Sequence, residues 1–114
     1  MLELICIGNT SSDCTTPYGI SMSHPYSVKE FIEDMLAQFP DEWGYIQLYK
    51  RGEIWGDNIV RCRYRNGHLL ASFPEQYMDR EVYVAEAWAG FSRMDITLTL
   101  QTKGFESWNT KVKV

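Results

Sequence analysis

Cysteine is scarce in this chain and oddly numbered. Cys6, Cys14 and Cys62 are all it has, and no two of them form a CxxC pair. An odd count at wide spacing argues against a disulfide framework and against a zinc site of ordinary ligand spacing. Histidine is as thin: His24 and His68 stand far apart, with no HxH or HxxxH, so no metal and no cofactor is expected. Positive charge is in deficit, with 11 Lys and Arg against 15 Asp and Glu and a net charge of −4. That balance disfavours non-specific binding to nucleic acid or to anionic lipid. No long apolar run occurs and no basic segment opens the chain, so neither a membrane span nor a signal peptide is predicted. Unpaired thiols then suit a reduced, cytoplasmic setting. The Ser- and Thr-rich stretch Gly8-Asn9-Thr10-Ser11-Ser12 follows a strand pattern, but no Walker lysine and no helix follow it to hold a phosphate.

What is present is enough for a core. The 114 residues are 45% hydrophobic and 14% aromatic, which predicts one folded domain over 1–114. Helical periodicity is clean in one place. Val28, Phe31, Ile32, Met35, Leu36 and Phe39 recur at steps of three and four, while Lys29, Glu30, Glu33, Asp34 and Gln38 take the other face. Ser27 with Glu30 reads as a capping box, and Tyr26 can staple onto Phe31. Pro40 ends the helix. The polar face is acidic, which argues against a membrane-surface helix.

Elsewhere the pattern is strand. Leu2 to Ile7, Tyr18 to Met22 and Tyr45 to Tyr49 alternate or run apolar between breakers, Arg51-Gly52 marks a turn, and Glu53-Ile54-Trp55 reads as a return. Asn66-Gly67 is a preferred type I′ turn, because both positions take positive φ. It pairs Arg65 with His68 and Tyr64 with Leu69. Val60, Cys62, Tyr64, Leu69, Ala71 and Phe73 then share one face, and Arg61, Arg63, Arg65, His68 and Ser72 the other. Pro74 to Asp79 reads as a helical turn. A second hairpin joins Glu81–Ala89 to Arg93–Gln101 around Gly90-Phe91, facing Trp88 with Arg93 and Glu86 with Asp95. Lys111-Val112-Lys113-Val114 reads as an edge strand guarded by lysine. The fold expected is α+β: one main amphipathic helix, about 27–39, on a mostly antiparallel, meander-like sheet.

Glu86 and Asp95 stand out in that register, because like charges directly across two strands repel. Two close carboxylates can share a proton, hold a metal or accept arginine. The plainest arrangement is a lattice of Arg61, Arg63 and Arg93 against Glu86 and Asp95. Trp88 opposite Arg93 suggests a cation–π pair. Arg61, Arg63 and Arg65, with Tyr49 or Trp55 nearby, would resemble a single-strand nucleic-acid surface, which the net charge disfavours. Cys14 with His24 or His68 has no geometry that would make a nucleophile and base.

The combination Ser27-Val28-Lys29-Glu30-Phe31-Ile32, Glu42-Trp43-Gly44-Tyr45-Ile46, Pro74-Glu75-Gln76-Tyr77-Met78-Asp79 and Ser92-Arg93-Met94-Asp95 resembles a set of small bacterial proteins of uncharacterised activity. The resemblance covers about the last three-quarters of the chain. It implies a cytoplasmic bacterial single domain and no particular activity.

With no catalytic motif, the expected role is a small non-enzymatic interaction module. Its candidate binding residues are Arg61, Arg63, Glu86, Trp88, Arg93 and Asp95, and its expected partner is another protein. A small enzyme, or a metal- or ligand-binding protein, centred on Glu86 and Asp95 is the alternative, with a small molecule as the possible ligand. Single-stranded nucleic acid on Arg61, Arg63 and Arg65 is a further one. No membrane partner is expected, and the edge strands offer a route to a homo-oligomer.

Overall fold

A computed structural model of the chain describes residues 1–9, 15–50 and 57–100. The Arg51-Gly52 turn, the Glu53–Trp55 return, Cys14, most of the Ser/Thr stretch and the lysine-bearing strand at 111–114 fall outside those residues.

Seven strands are described: β1 (Leu2–Cys6), β2 (Thr16–Met22), β3 (Trp43–Lys50), β4 (Asp57–Arg65), β5 (His68–Leu69), β6 (Val82–Gly90) and β7 (Arg93–Leu100). Two helices accompany them, α1 (Val28–Gln38) between β2 and β3 and the single turn α2 (Glu75–Met78) between β5 and β6. The strands form one sheet in the order β1-β2-β6-β7-β3-β4-β5. Neighbours pair antiparallel except β3 and β7, which run parallel from Ile46↔Ile96 to Lys50↔Leu100.

This corrects the expected fold. Of the described residues 55% are strand and 17% are helical, in two short helices, and the sheet is mixed rather than antiparallel. It is also not a meander, since the β6–β7 hairpin sits between β2 and β3. A parallel pair joins segments about fifty residues apart, so no turn residue announces it; only tertiary packing selects it.

α1 forms for the reasons its spacing suggests. Val28, Phe31, Ile32 and Met35 are buried in one cluster with Ile46, Leu48, Cys62, Tyr64, Ala85, Ala87, Ile96 and Leu98 from the strands. Burying four such side chains contributes roughly 6–12 kcal/mol before entropy is counted. The Ser27 hydroxyl accepts from the Glu30 N–H at 3.1 Å. The second arm of the expected capping box is absent: Glu30 Oε2 lies 2.8 Å from His24 Nε2 instead. Tyr26 meets Phe31 edge-on with centroids 6.1 Å apart, as a staple requires. Backbone bonds from Val28 N to Arg80 O and from Val82 N to Tyr26 O, each 2.9 Å, moor the start of α1 beside the start of β6. At its other end, Gln38 reaches β1. Its amide accepts from Leu2 N at 3.1 Å and donates to Leu2 O at 2.5 Å.

Alternation along the strands sets two faces. Gly44, Ile46 and Leu48 of β3, Cys62 and Tyr64 of β4, and Met94, Ile96, Leu98 and Leu100 of β7 point into the core. Tyr45, Arg61, Arg63, Glu86, Trp88, Arg93 and Asp95 share the opposite, outer face, by parity with those buried neighbours. The Asn66-Gly67 turn has φ of 52° and 77° and sets the register expected, Arg65↔His68 and Tyr64↔Leu69. Ala71, expected on the inner face, is exposed, because β5 ends at Leu69.

The second hairpin differs by two residues. Its turn is Phe91-Ser92, both at positive φ, and Gly90 pairs with Arg93. Trp88 therefore faces Asp95, and Glu86 faces Thr97. Gly90 drew the sequence reading to itself as a turn residue, but the turn is built from two residues that rarely take this conformation.

Among the described residues no helix is long and apolar enough to cross a membrane.

Candidate functional site

Parity places all six singled-out residues on one surface. Two rows cross it at right angles to the strands. Gly19, Glu86, Thr97, Gln47 and Arg61 make one, through the pairings of β2, β6, β7, β3 and β4. Pro17, Trp88 and Asp95 begin the other, which continues through Tyr45 to Arg63.

Tyr45 is the centre. The Arg61 guanidinium carbon lies 4.6 Å from its ring centroid, that of Arg93 5.2 Å and that of Arg63 5.4 Å. Arg93 also lies 5.7 Å from the Trp43 ring. A ring carries negative potential on its faces, so each contact contributes roughly 0.5–1 kcal/mol at an exposed site. The parallel register is what gathers them, because β3 stands between β4, which carries Arg61 and Arg63, and β7, which carries Arg93.

Asp95 holds this group in place. Arg93 Nη2 donates to Asp95 Oδ2 at 2.8 Å and to Oδ1 at 3.0 Å, and Nε donates to Oδ1 at 3.3 Å. The pair is more than one-third exposed, so its contribution is orientation more than stability. Oδ1 also accepts from the Tyr45 N–H at 3.0 Å. One carboxylate thus ties the Tyr45 backbone to the guanidinium above its ring. Gly44 permits the approach: a Cβ there would overlap the Met94 carbonyl oxygen and stand 2.8 Å from Asp95 Oδ1.

The expected carboxylate pair does not form. Glu86 and Asp95 are offset by one step of the ladder, and Asp95 is already committed to Arg93 and Tyr45. Arg93 lies over Trp43 and Tyr45 across β3, where it was expected to meet Trp88. Of the expected lattice, the Arg93–Asp95 ion pair forms, while Arg61 and Arg63 lie over a ring instead. The aromatic beside the arginine stripe is Tyr45, not Tyr49; Trp55 lies outside the described residues. Sequence reading passed over Tyr45 and Trp43. Their signal was aromatic residues at outward positions of an alternating strand, where polar residues are usual.

Where β3 begins and β4 ends, a cleft of about 130 Å³ opens between Trp43, Tyr45, Arg63, Arg65 and Leu70. Trp43 pairs with Arg65 across the two strands, and Leu70 N–H bonds to Arg63 O at 2.8 Å. Leu70 is 61% exposed and Trp43 40%. Tyr64, between Arg63 and Arg65, also borders the cleft, while its side chain turns into the core, where the hydroxyl donates to Met94 O at 2.5 Å. Burial pushes the Tyr64 phenol well above its ordinary value of 10.0, with Glu42 and Asp95 adding to the shift. Neither Glu86 nor Asp95 lines this cleft.

His24 is held by Ser23 Oγ at 3.1 Å and by Glu30, and it stacks on Tyr26 at 4.1 Å. Cys62 is buried, which pushes its thiol up, and Cys6 is exposed. Among the described residues no group of three His, Cys, Asp or Glu side chains converges as metal ligands would.

No protein-family model, no curated protein and no solved structure matches this chain. The resemblance to small bacterial proteins therefore adds nothing to the geometry.

Proposed function

We propose that the chain is a small, non-enzymatic interaction module of the bacterial cytoplasm that meets another protein with its outer sheet face. The observation that supports this reading is the gathering of Arg61, Arg63 and Arg93 over the Tyr45 ring, flanked by exposed Trp43 and Trp88. Arginine and aromatic side chains are the residues that anchor protein interfaces, because each carries a large apolar body and a polar tip. The Asp95 tether holds Arg93 before any partner arrives, which lowers the ordering cost of binding.

The test is a quantitative pull-down from native bacterial lysate with wild type and with Arg63→Ala, Trp88→Ala and Arg93→Ala combined, both shown folded by circular dichroism. The reading expects a partner retained by wild type and lost from the triple variant. Equal recovery by both proteins, or recovery by neither, refutes it.

A further inference from the structure

We infer that the cleft between Trp43 and Leu70 is the anchor subsite of this face and takes an acidic peptide segment. One apolar side chain sits between Trp43 and Leu70, and neighbouring carboxylates reach Arg63 and Arg65. The inference rests on the reading of the outer face as a protein-binding surface.

Size comes first. At about 130 Å³ the cleft accommodates a single leucine- or phenylalanine-sized side chain and no folded element. Its apolar walls stay wet in the isolated chain: Leu70 is 61% exposed, among the highest values for a large apolar side chain here. An apolar pocket with a few convergent polar groups is the usual form of a ligand subsite.

Charge decides the class of occupant. Among the described residues, neither Arg63 nor Arg65 has a carboxylate partner, whereas Arg93 is satisfied by Asp95. Arg63 and Arg65 lie two residues apart on β4, so their side chains project from the same face of one strand. An extended acidic segment repeats its side chains at the same interval, so two of its carboxylates can meet the two guanidinium groups. Complementary charge at a rim of this kind gives on-rate and specificity, and it weakens with salt.

Single-stranded nucleic acid fits less well. It binds by stacking bases on free aromatic faces. Guanidinium groups already cover Tyr45. Asp95, in the same row, and Glu86, in the next, would repel phosphates along the face.

The experiment is fluorescence polarisation at low salt with four labelled probes: a short acetylated glutamate–leucine peptide carrying glutamate, glutamate and leucine at alternate positions with serine between them, so that all three share one face when extended; an all-glutamate peptide of equal length; a lysine–leucine peptide with lysine in place of each glutamate; and an oligothymidylate. The glutamate–leucine peptide should bind best and lose affinity as salt rises. Arg65→Ala should weaken it on the order of tenfold, as loss of an anchor arginine does. Leu70→Glu should abolish it, and Leu70→Ala should weaken it; Leu70 is exposed, so both variants fold, as melting curves will check. Arg65→Glu should turn preference toward the lysine–leucine peptide.

Loss of binding in Trp88→Ala and Arg93→Ala, with indifference to Arg65 and Leu70, would overturn the cleft assignment and leave the face reading standing. Binding of the oligothymidylate in preference to every peptide would overturn both. If no peptide binds, the cleft assignment falls, and the lysate experiment judges the face reading on its own.

Discussion

Gly44→Ala tests the packing that creates the site. β3 and β7 run parallel, and at the start of their contact Gly44 lies against Met94 and Asp95. An added Cβ would overlap the Met94 carbonyl oxygen, a backbone atom that cannot swing aside. β3 and β7 would have to part, stretching the Tyr45 N–H bond to Asp95. Overpacking of this kind costs about 1–3 kcal/mol. Gly44 also has a φ of 155°, which adds backbone strain of about 1 kcal/mol. The sum is about 2–4 kcal/mol, a large share of the stability of a small domain. Gly67 is the control. It sits at φ 77°, yet its nearest neighbour, Leu36 O, would be 3.7 Å from a Cβ. Gly67→Ala should therefore show conformational strain alone, about 1 kcal/mol. Equilibrium urea unfolding measures both. A Gly44→Ala chain within about 0.5 kcal/mol of wild type, or no worse than Gly67→Ala, would refute the close β3–β7 approach.

The Phe91-Ser92 turn holds two non-glycine residues at φ 52° and 66°; replacing the pair with Asn-Gly should stabilise the chain by about 0.5–1 kcal/mol in the same urea assay. Tyr64→Phe leaves the buried Met94 carbonyl without its side-chain donor and should cost about 1–2 kcal/mol. Because the folded protein raises the Tyr64 pKa, the phenol's contribution is fully present below 10.0 and is lost as pH climbs above it; Tyr64→Phe should flatten the fall in stability on that alkaline side. In a Cys14→Ser background, Ellman's reagent should label exposed Cys6 at once and buried Cys62 only as the chain opens.

Legibility in the sequence followed locality. The Asn66-Gly67 turn needs positive φ at both positions, so its own two residues specify the register and the outward set Arg61, Arg63 and Arg65. Ser27, Tyr26 and the apolar stripe from Val28 to Met35 mark α1 by contacts within a few residues. The other hairpin slipped by two because Phe91 and Ser92 carry no turn chemistry and Gly90 does. From Ala85 to Asp95 that slip kept each side chain on its expected face and misplaced its partners, which is why Glu86 and Asp95 looked like a pair; Tyr83, expected inward opposite Leu98, is exposed because a bulge between Val82 and Val84 turns Val82 into the core instead. The union of β3 with β7 left no local trace. With it went the reason Tyr45, rather than Glu86 or Asp95, is the centre of the surface.

Gln38 has a consequence beyond helix docking. Ile7 N bonds inward to Pro17 O, so alternate residues of β1, beginning with Leu2, direct their amides away from β2. The Gln38 carboxamide answers Leu2 with one acceptor and one donor, as a neighbouring strand would at that position. Groups occupied in this way are no longer open to a strand from another molecule. A Gln38→Ala chain would keep its core yet lengthen its sticky margin beside Ile5, so its first fault should be aggregation on concentration and not unfolding.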